Sequence, residues 1–203
     1  EAGLGGRLDP VRLIAARQVA LTSLDLEHTA LLGDTLEAIA REKIAAAPKG
    51  ARLFFGESPL RACIEAQARA QGVQAACVAP APDAPFAGAH QRINAALACA
   101  LARAIAPLED AQIKAGLAAA RWPGRLEQLQ ADPLVIIDVG HTPAGVAAAL
   151  EGFRTLAGSR RRVLICGVSI DKDIEAIVSA LAPDFPLIIA ASAAHKGATS
   201  CDI

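Results

Sequence analysis

A histidine and a lysine near the start of the chain, His28 and Lys43, have types and a spacing that suggest chemistry. Lys43 lies seven residues after Leu36 and four before Ala47, which places it on the apolar stripe of a predicted helix. A lysine in such a place commonly extends its ammonium to water, and this is the plainer interpretation. In the alternative, partial burial favours the uncharged amine. An uncharged amine can react with CO₂ to form a carbamate, which converts a cation into a metal-binding anion.

His28 follows a predicted strand over residues 18–23. The carboxyl ends of parallel strands are where α/β proteins place their binding sites, and an imidazole can exchange a proton or bind a metal. A histidine that caps a helix or lies in the core would fit the same position. His28 and Lys43 are therefore weak signals when each is taken alone, and the surrounding elements decide their interpretation.

The first 120 residues alternate between predicted strands and helices. Asp34, with Glu37 three residues later, has the form of a capping box, so we predict that the helix of Lys43 begins at Asp34. The apolar stripe of this helix would consist of Leu36, Ile39, Ala40, Ile44 and Ala47. The other predicted elements are strands over 18–23 and 51–55, helices over about 58–72, 91–105 and 109–120, and a Pro/Ala-rich loop over 80–90.

The pattern breaks at residues 121–125, where Pro123-Gly124 is strong turn punctuation. We place a domain boundary there, which divides the chain into domains of residues 1–120 and 121–203. Beyond it, helices that begin at Thr142 and Asp171 alternate with apolar strands over 134–138, 162–167 and 187–190. Strands that are apolar on both faces and separated by helices indicate a parallel sheet with right-handed crossovers, the start of a Rossmann-like domain.

The composition indicates a soluble globular protein and argues against two classes of partner. Of the 203 residues, 53% are hydrophobic and 20% charged, with a net charge of −1 and no basic block. Nucleic acids and membrane surfaces are therefore not expected partners, and no apolar run approaches the roughly 18 residues of a membrane span. The five scattered cysteines predict reduced thiols in a cytoplasmic protein. We also expect a monomer.

The run of residues 22–43 resembles the central-domain signature of the folylpolyglutamate synthase/dihydrofolate synthase family, which belongs to the Mur ligase superfamily. Further segments resemble motifs of the same family in the same order. They are the glycine-rich residues 1–9, the Asn-bearing helix start at 91–96, the interdomain linker at 122–127, and the C-terminal-domain motifs at 137–143 and 167–174. The resemblance implies an α/β fold: part of a P-loop-type central ATPase domain, followed by the start of a Rossmann-like parallel-sheet C-terminal domain.

The resemblance implies an ATP-dependent carboxylate–amine ligase. In this family ATP phosphorylates a substrate carboxylate, and the amino group of an incoming amino acid attacks the acyl phosphate to give an amide. We expect L-glutamate to be added to dihydropteroate or to a folate, with ATP as co-substrate and Mg²⁺ as cofactor. Two alternatives stay open. One is another amide ligase of the Mur superfamily, acting on a cell-wall precursor or a different acid, and the other is a catalytically inactive nucleotide-binding homologue.

Three residues match the metal and catalytic positions of the family. By resemblance, Glu1 and His28 are magnesium ligands, and Lys43 is the lysine whose carbamate helps to place a metal; His28 and Lys43 are the residues expected to be catalytic. Because magnesium prefers oxygen ligands, the assignment of a histidine rests on the family and not on ligand preference.

Other residues match nucleotide and substrate positions. The resemblance implies nucleotide contacts for Asn94, Arg125, Asp138 and His141, with Arg125 reaching the nucleotide from the linker and Asp138 binding a ribose hydroxyl. Lys172 would serve the incoming amino acid. The alternative interpretations of Arg125 and Asp138 are a linker salt bridge and a helix-entry cap.

Several positions depart from the family pattern. The glycine-rich phosphate-binding loop with its Lys and Ser/Thr is absent, and in the family it lies upstream of the motif at Glu1. The chain also has no Met and no Tyr, and from these features we expect a piece truncated at both ends. Glu27 stands where the family usually has Asp, Asp9 is followed by Pro-Val-Arg in place of Ala-Thr-Asn, and Thr142 stands where Asn is usual. These changes bear on substrate identity more than on reaction class.

Overall fold

A computed structural model describes residues 3–26, 28–82 and 84–192 of the chain. The chain packs as two compact units, the first formed by Glu1–Ala84 and Gln91–Ala119, and the second by Pro85–His90 and Ala120–Ile203. Which functional domain each unit represents stays a prediction from the motifs. In the described part of the chain, no helix is both long and apolar enough to cross a membrane.

The first unit contains a three-stranded parallel sheet in the order β1-β2-β3. Its strands are β1 (Gln18–Leu21), β2 (Arg52–Gly56) and β3 (Gln74–Val78), and its helices are α1 (Thr29–Leu32), α2 (Leu36–Ile44), α3 (Arg61–Ala70), α4 (Ala89–Ile105) and α5 (Asp110–Ala119). A 3-10 helix (Pro10–Leu13) precedes β1. Sequence analysis did not predict β3 or α1. β3 contains two alanines, which have low strand propensity, and α1 is a single turn.

The core of this unit lies between the sheet and helices α2 and α3. Leu53 and Phe55 alternate along β2 and are almost fully buried, as are Ile44 of α2 and Ile64 of α3. Burying such side chains stabilises the fold by about 1.5–3 kcal/mol each. Ile39, Ala40, Ile44 and Ala47 of the predicted stripe are buried as expected, whereas Leu36 is only half-buried.

Helix α4 covers the opposite face of β2. Gly56 lies on the face away from Leu53 and Phe55, and an ideal Cβ on it would approach Ile93 Cγ2 of α4 to 2.4 Å. Only glycine allows this approach. The start of α4 is thereby held against the carboxyl end of β2, so the unit has helices on both faces of a parallel sheet. The predicted α/β class is confirmed for this part of the chain.

The predicted start of α2 was wrong by one residue. The N-cap is Thr35 and not Asp34, because Thr35 has the extended backbone of a cap and its hydroxyl accepts a hydrogen bond from the Ala38 amide at 3.2 Å. Gly33, with φ of 101°, turns the chain just before this point. Asp34 is left exposed outside the helix.

The second unit combines a hairpin with a parallel strand pair. β4 (Glu127–Ala131) pairs antiparallel with β5 (Leu134–Ile137), and β6 (Val163–Cys166) pairs parallel with β7 (Leu187–Ala190). The helices are α6 (Pro143–Ala157) and α7 (Ile174–Leu181). The parallel pairing of β6 and β7 was predicted and is confirmed.

The prediction that β5 belongs to the parallel sheet was wrong. A two-residue connection, Asp132-Pro133, joins β4 to β5, and so short a link permits only antiparallel pairing. β4 was not predicted because its residues are mainly polar. The start of α6 is as predicted, with Thr142 as N-cap, but α7 begins at Ile174 with Asp173 as its cap, three residues later than expected.

Candidate functional site

The loop of residues 3–9, called here the N-terminal loop, packs against the end of helix α2. Gly6 is the point of contact, since an ideal Cβ on it would lie only 2.2 Å from the Glu42 carbonyl oxygen. Arg7 Nε donates to Glu42 Oε1 at 3.3 Å, and an ideal Cβ on Gly5 would lie 3.1 Å from Leu32 of α1. The glycines therefore bring the first motif next to the second one, which ends at Lys43.

Lys43 lies in the last turn of α2, beside buried Ala40 and Ala47, and is half-buried. Within the described residues its ammonium forms no ion pair, although Glu42 next to it pairs with Arg7. A half-buried lysine without a carboxylate partner is compatible with the carbamate interpretation and with the plainer one, in which the ammonium extends to water. The partial burial expected from the helix pattern is present.

His28 begins helix α1 in a left-handed conformation, with φ of 52° and ψ of 37°. Its carbonyl accepts the amides of Leu31 and Leu32 at 2.9 and 3.0 Å, while its side chain is exposed and caps nothing. Left-handed backbone is uncommon outside glycine and is often retained at functional sites. The interpretation of His28 as a core residue is therefore wrong, and its imidazole is accessible to a ligand.

Asn94 lies in the first turns of α4, close to the carboxyl end of β2. Its amide nitrogen donates to Gln91 Oε1 at 3.1 Å, and its side chain is exposed. The Ala81 amide, after the end of β3, donates to the Arg92 carbonyl at 2.9 Å. The start of α4 is thus fixed to the same sheet edge from which the segment leading to His28 departs.

In the second unit, a turn of residues 124–127, called here the linker turn, is fastened to the segment after β5. The Val139 amide donates to the Gly124 carbonyl at 2.9 Å. Asp138 accepts the Leu126 amide on Oδ2 at 2.9 Å and the Gly140 amide on Oδ1 at 2.7 Å. Asp138 therefore organises two loops, and each of its oxygens keeps a lone pair for a further donor.

Arg125 occupies the middle of the linker turn and is half-buried. With Trp122, Phe86 and Leu156 it lines an open cleft of about 260 Å³. Trp122 is 66% exposed, which is unusual for so large an apolar side chain. A cleft with an exposed indole and a guanidinium suits a ligand that combines a flat ring with a negative charge.

His90 is a residue of this region that sequence analysis missed. Its ring lies over Gly88, and its buried Nδ1 has no hydrogen-bond partner among the described residues. Burial lowers the pKa of His90, the Arg125 charge adds to that effect, and Asp138 and Glu151 oppose it. The sequence offers only one hint of this arrangement, the glycine at position 88. In the structure Gly88 has φ of 101°, in a region that favours glycine.

His141 and Lys172 both act on the carboxylate of Asp171. His141 Nδ1 is 3.2 Å from the Val139 carbonyl, and Lys172 Nζ pairs with Asp171 Oδ2 at 3.0 Å. The hydrogen bond from Lys172 lowers the pKa of Asp171, and the charge of His141 lowers it further. The loops after β5 and β6 thus bring the two predicted residues to one place.

The predicted metal ligands stay a prediction. Glu1 lies outside the described residues, and a carbamate on Lys43 requires CO₂. Searching residues 3–26, 28–82 and 84–192 finds no group of three or more His, Cys, Asp and Glu side chains that could hold a metal ion. Of the three predicted ligands, the structure describes His28 and Lys43, and their role in metal binding stays a prediction.

Comparisons with protein families, curated proteins and solved structures find similar proteins of one kind. Residues 124–203 match the family described as "Mur ligase, glutamate ligase domain". The chain is 34% identical to the "Probable bifunctional folylpolyglutamate synthase/dihydropteroate synthase" of Halobacterium salinarum over 89% of this chain and 26% of that protein. It spans about a quarter to a half of the length of the curated relatives it matches.

Two solved structures resemble the whole fold. "E.coli FolC in complex with DHPP and ADP" superimposes with a TM-score of 0.86 and 26% identity, covering 98% of this chain and 53% of that one. A bifunctional folylpolyglutamate synthase/dihydrofolate synthase from Yersinia pestis, complexed with AMPPNP and Mn ion, has a TM-score of 0.83 and 27% identity, with coverage of 98% and 53%.

Proposed function

We propose that this chain, which is similar to folylpolyglutamate synthase/dihydrofolate synthase proteins of the Mur ligases, is part of an ATP-dependent ligase. The ligase would join L-glutamate to dihydropteroate or a folate through an acyl phosphate. The observation that carries this proposal is the contact of Gly6 with the Glu42 carbonyl, which sets the N-terminal loop beside Lys43. Residues 1–120 would be part of the central ATP-binding domain, and residues 121–203 part of the C-terminal domain.

Each unit offers candidate nucleotide contacts of its own. In the first unit, Asn94 offers an exposed amide at the start of α4. In the second, Arg125 would meet a phosphate or the ring-bearing end of the nucleotide, and Asp138 would accept a ribose hydroxyl on a free lone pair. His141 would contribute from the loop after β5. The E. coli structure contains ADP and the Yersinia structure AMPPNP, which supports nucleotide use by this family.

The metal site would consist of Glu1, His28 and the Lys43 carbamate. The Yersinia relative contains an Mn ion, and we propose Mg²⁺ for this chain. When bound, a divalent cation neutralises charge on the transferred phosphoryl group. Lys43 would become a ligand if its uncharged Nζ bonded to the carbon of CO₂ and released a proton to water, which would leave a carbamate anion on the side chain.

The reaction would then proceed in two steps. The substrate carboxylate attacks the γ-phosphate of ATP, forming an acyl phosphate and releasing ADP. The amine of glutamate, after losing a proton, attacks the acyl carbon, and phosphate leaves as the amide forms. Lys172 would bind the α-carboxylate of the incoming amino acid, near His141.

Replacing Lys43 with alanine tests the assignment. We expect ligation by the protein to fall on the order of 100-fold, the scale seen when a group that stabilises transition-state charge is removed. Lys114→Ala is the matched control, because Lys114 is an exposed lysine within helix α5. The wild-type rate should also fall in CO₂-free buffer and return with bicarbonate. An unchanged rate in Lys43→Ala would refute the role of Lys43.

Another amide ligase of the superfamily is the second candidate, favoured by the change at Thr142. Its hydroxyl accepts the Gly145 amide at 3.0 Å as the N-cap of α6. Asparagine, the usual residue of the family here, caps a helix equally well. Threonine at this position therefore keeps the cap but lacks the carboxamide of asparagine. ATP consumption with dihydropteroate, folates and a panel of amino acids separates the two candidates, and no consumption with any of them would indicate an inactive nucleotide-binding homologue.

A further inference from the structure

The carboxylates of the linker turn and of the loop after β5 both accept backbone amides. Asp138 receives backbone amides on both oxygens, from Leu126 and Gly140. Glu127 receives the Gly124 amide on Oε2 at 2.8 Å. In the described part of the chain, the Arg125 guanidinium makes no ion pair, and the carboxylates of the linker turn and the facing loop are engaged with backbone amides. The predicted alternative, in which Arg125 forms a linker salt bridge, is therefore wrong for these residues.

The linker turn is held in a conformation that it would not adopt by itself. Leu126 has φ of 47°, in the left-handed region, which carries a free-energy cost for a branched side chain. Leu126 is nevertheless buried, and its Cδ1 lies 2.5 Å from the position of an ideal Cβ on Gly152 of α6. The glycine leaves the room that this side chain fills. The backbone on both sides of Arg125 must therefore be fixed by the surrounding contacts.

Glu127 closes the linker turn on itself through its side chain. Its carboxylate bonds to the amide three residues earlier, on the other side of Arg125. Gly124 has φ of 70°, and an ideal Cβ on it would approach Val139 Cγ1 to 2.8 Å. The position of Gly124 is thus set by Val139 behind it and by Glu127 within the turn. A hydrogen bond to an ionised carboxylate is stronger than one between neutral groups.

We infer that Glu127 is a positioning residue whose carboxylate closes the linker turn and holds Arg125 unpaired toward an anionic ligand in the cleft. This inference rests on the proposed function, in which that ligand is the nucleotide. Glu127 also lines the cleft, and its role in this inference is to fix the linker turn, not to bind the ligand. Its carboxylate accepts the Gly124 amide and, among the described residues, does not pair with Arg125.

The test compares Glu127→Ala with Glu127→Gln in the protein. Glu127→Ala should raise KM for ATP and the Kd for ADP on the order of tenfold, the effect of losing one charge-assisted hydrogen bond, with kcat within about twofold. Glu127→Gln keeps a carbonyl acceptor on the same stem and should recover most of the affinity. Glu175→Ala, the same change at an exposed glutamate of α7, is the control and should leave both constants unchanged.

A double-mutant cycle separates this inference from the proposed function. If Glu127 acts through Arg125, adding Glu127→Ala to Arg125→Ala should weaken ADP binding no further. Additive losses, or full affinity in Glu127→Ala while Arg125→Ala binds weakly, would overturn the inference. Full affinity in Arg125→Ala would instead overturn the nucleotide role given to Arg125. Thermal unfolding midpoints of the variants show whether a loss comes from unfolding, and Glu127→Gln decides the question if Glu127→Ala does not fold.

Discussion

Replacing Gly6 with alanine is the sharpest test of how the N-terminal loop meets the helix of Lys43. Besides the 2.2 Å approach to the Glu42 carbonyl, the new Cβ would lie 2.9 Å from the Lys43 carbonyl oxygen and 3.0 Å from the Ala46 nitrogen. All three are backbone atoms, so none can rotate away as a side chain would. The loop would have to retreat by about 1 Å, and overpacking of this kind typically costs about 1–3 kcal/mol of unfolding free energy.

Thermal unfolding followed by circular dichroism measures this cost, and the ligation rate measures its effect on the site. The midpoint should fall by about 2–4 °C for each kcal/mol lost. Gly116→Ala is the control, because a Cβ on Gly116 in α5 would meet nothing within 4 Å, and alanine favours a helix over glycine by up to about 1 kcal/mol. Equal midpoints and equal rates for Gly6→Ala and the wild type would refute the described packing.

Two further predictions concern the second unit. Asp184 pairs with Arg154 and with Arg162 (2.8 Å), and the hydrogen bond from Arg154 is the main cause that lowers its pKa. A folded-state pKa below the unfolded value stabilises the fold above the unfolded pKa, and this is lost as pH falls through the folded pKa. Asp184→Asn should therefore lower the unfolding midpoint by a few degrees at pH 7, with the difference from wild type vanishing in acid; a difference that does not depend on pH would contradict this. Thr142→Ala should cost about 1 kcal/mol in urea unfolding through loss of the α6 cap, whereas Thr142→Asn should be neutral; an equal loss in both would show that the cap is not the cause.

The sequence predicts the fold well where hydrophobic spacing decides it. The stripe of α2 and the parallel pair β6–β7 follow from apolar periodicity alone. β5 shows the limit, because the run Leu134–Ile137 is equally apolar in either pairing, and the direction is set by the two-residue link before it. The cap of α2 shows a second limit of prediction from sequence. Asp34 and Thr35 are both residue types that cap helices, and the backbone turn at Gly33 determines that Thr35 is the cap.

The residues of the candidate site are predictable by type, but their partners are not. Asp9, Glu127 and Asp138 all stand in acidic or glycine-rich motifs, and all three accept backbone amides at 2.7–2.9 Å. Among the described residues, Lys43 and Arg125 form no ion pair. The sequence does not distinguish a carboxylate that fixes a loop through backbone amides from a carboxylate that binds a metal. The difference lies in the direction in which the loop amides point. In the roles proposed above, this would leave Lys43 available for carbamylation and Arg125 available to an anionic ligand.

Lys172 differs from Lys43 and Arg125, since it is paired with Asp171. The pair is open to solvent, because the Asp171 side chain is 65% exposed and that of Lys172 32%. Exposed pairs contribute little to stability since water and salt screen them. A substrate carboxylate that reaches Lys172 would therefore exchange one weak pairing for another. The ion pair is thus compatible with binding of an amino-acid carboxylate, and Asp171 would hold the lysine in place until the substrate arrives.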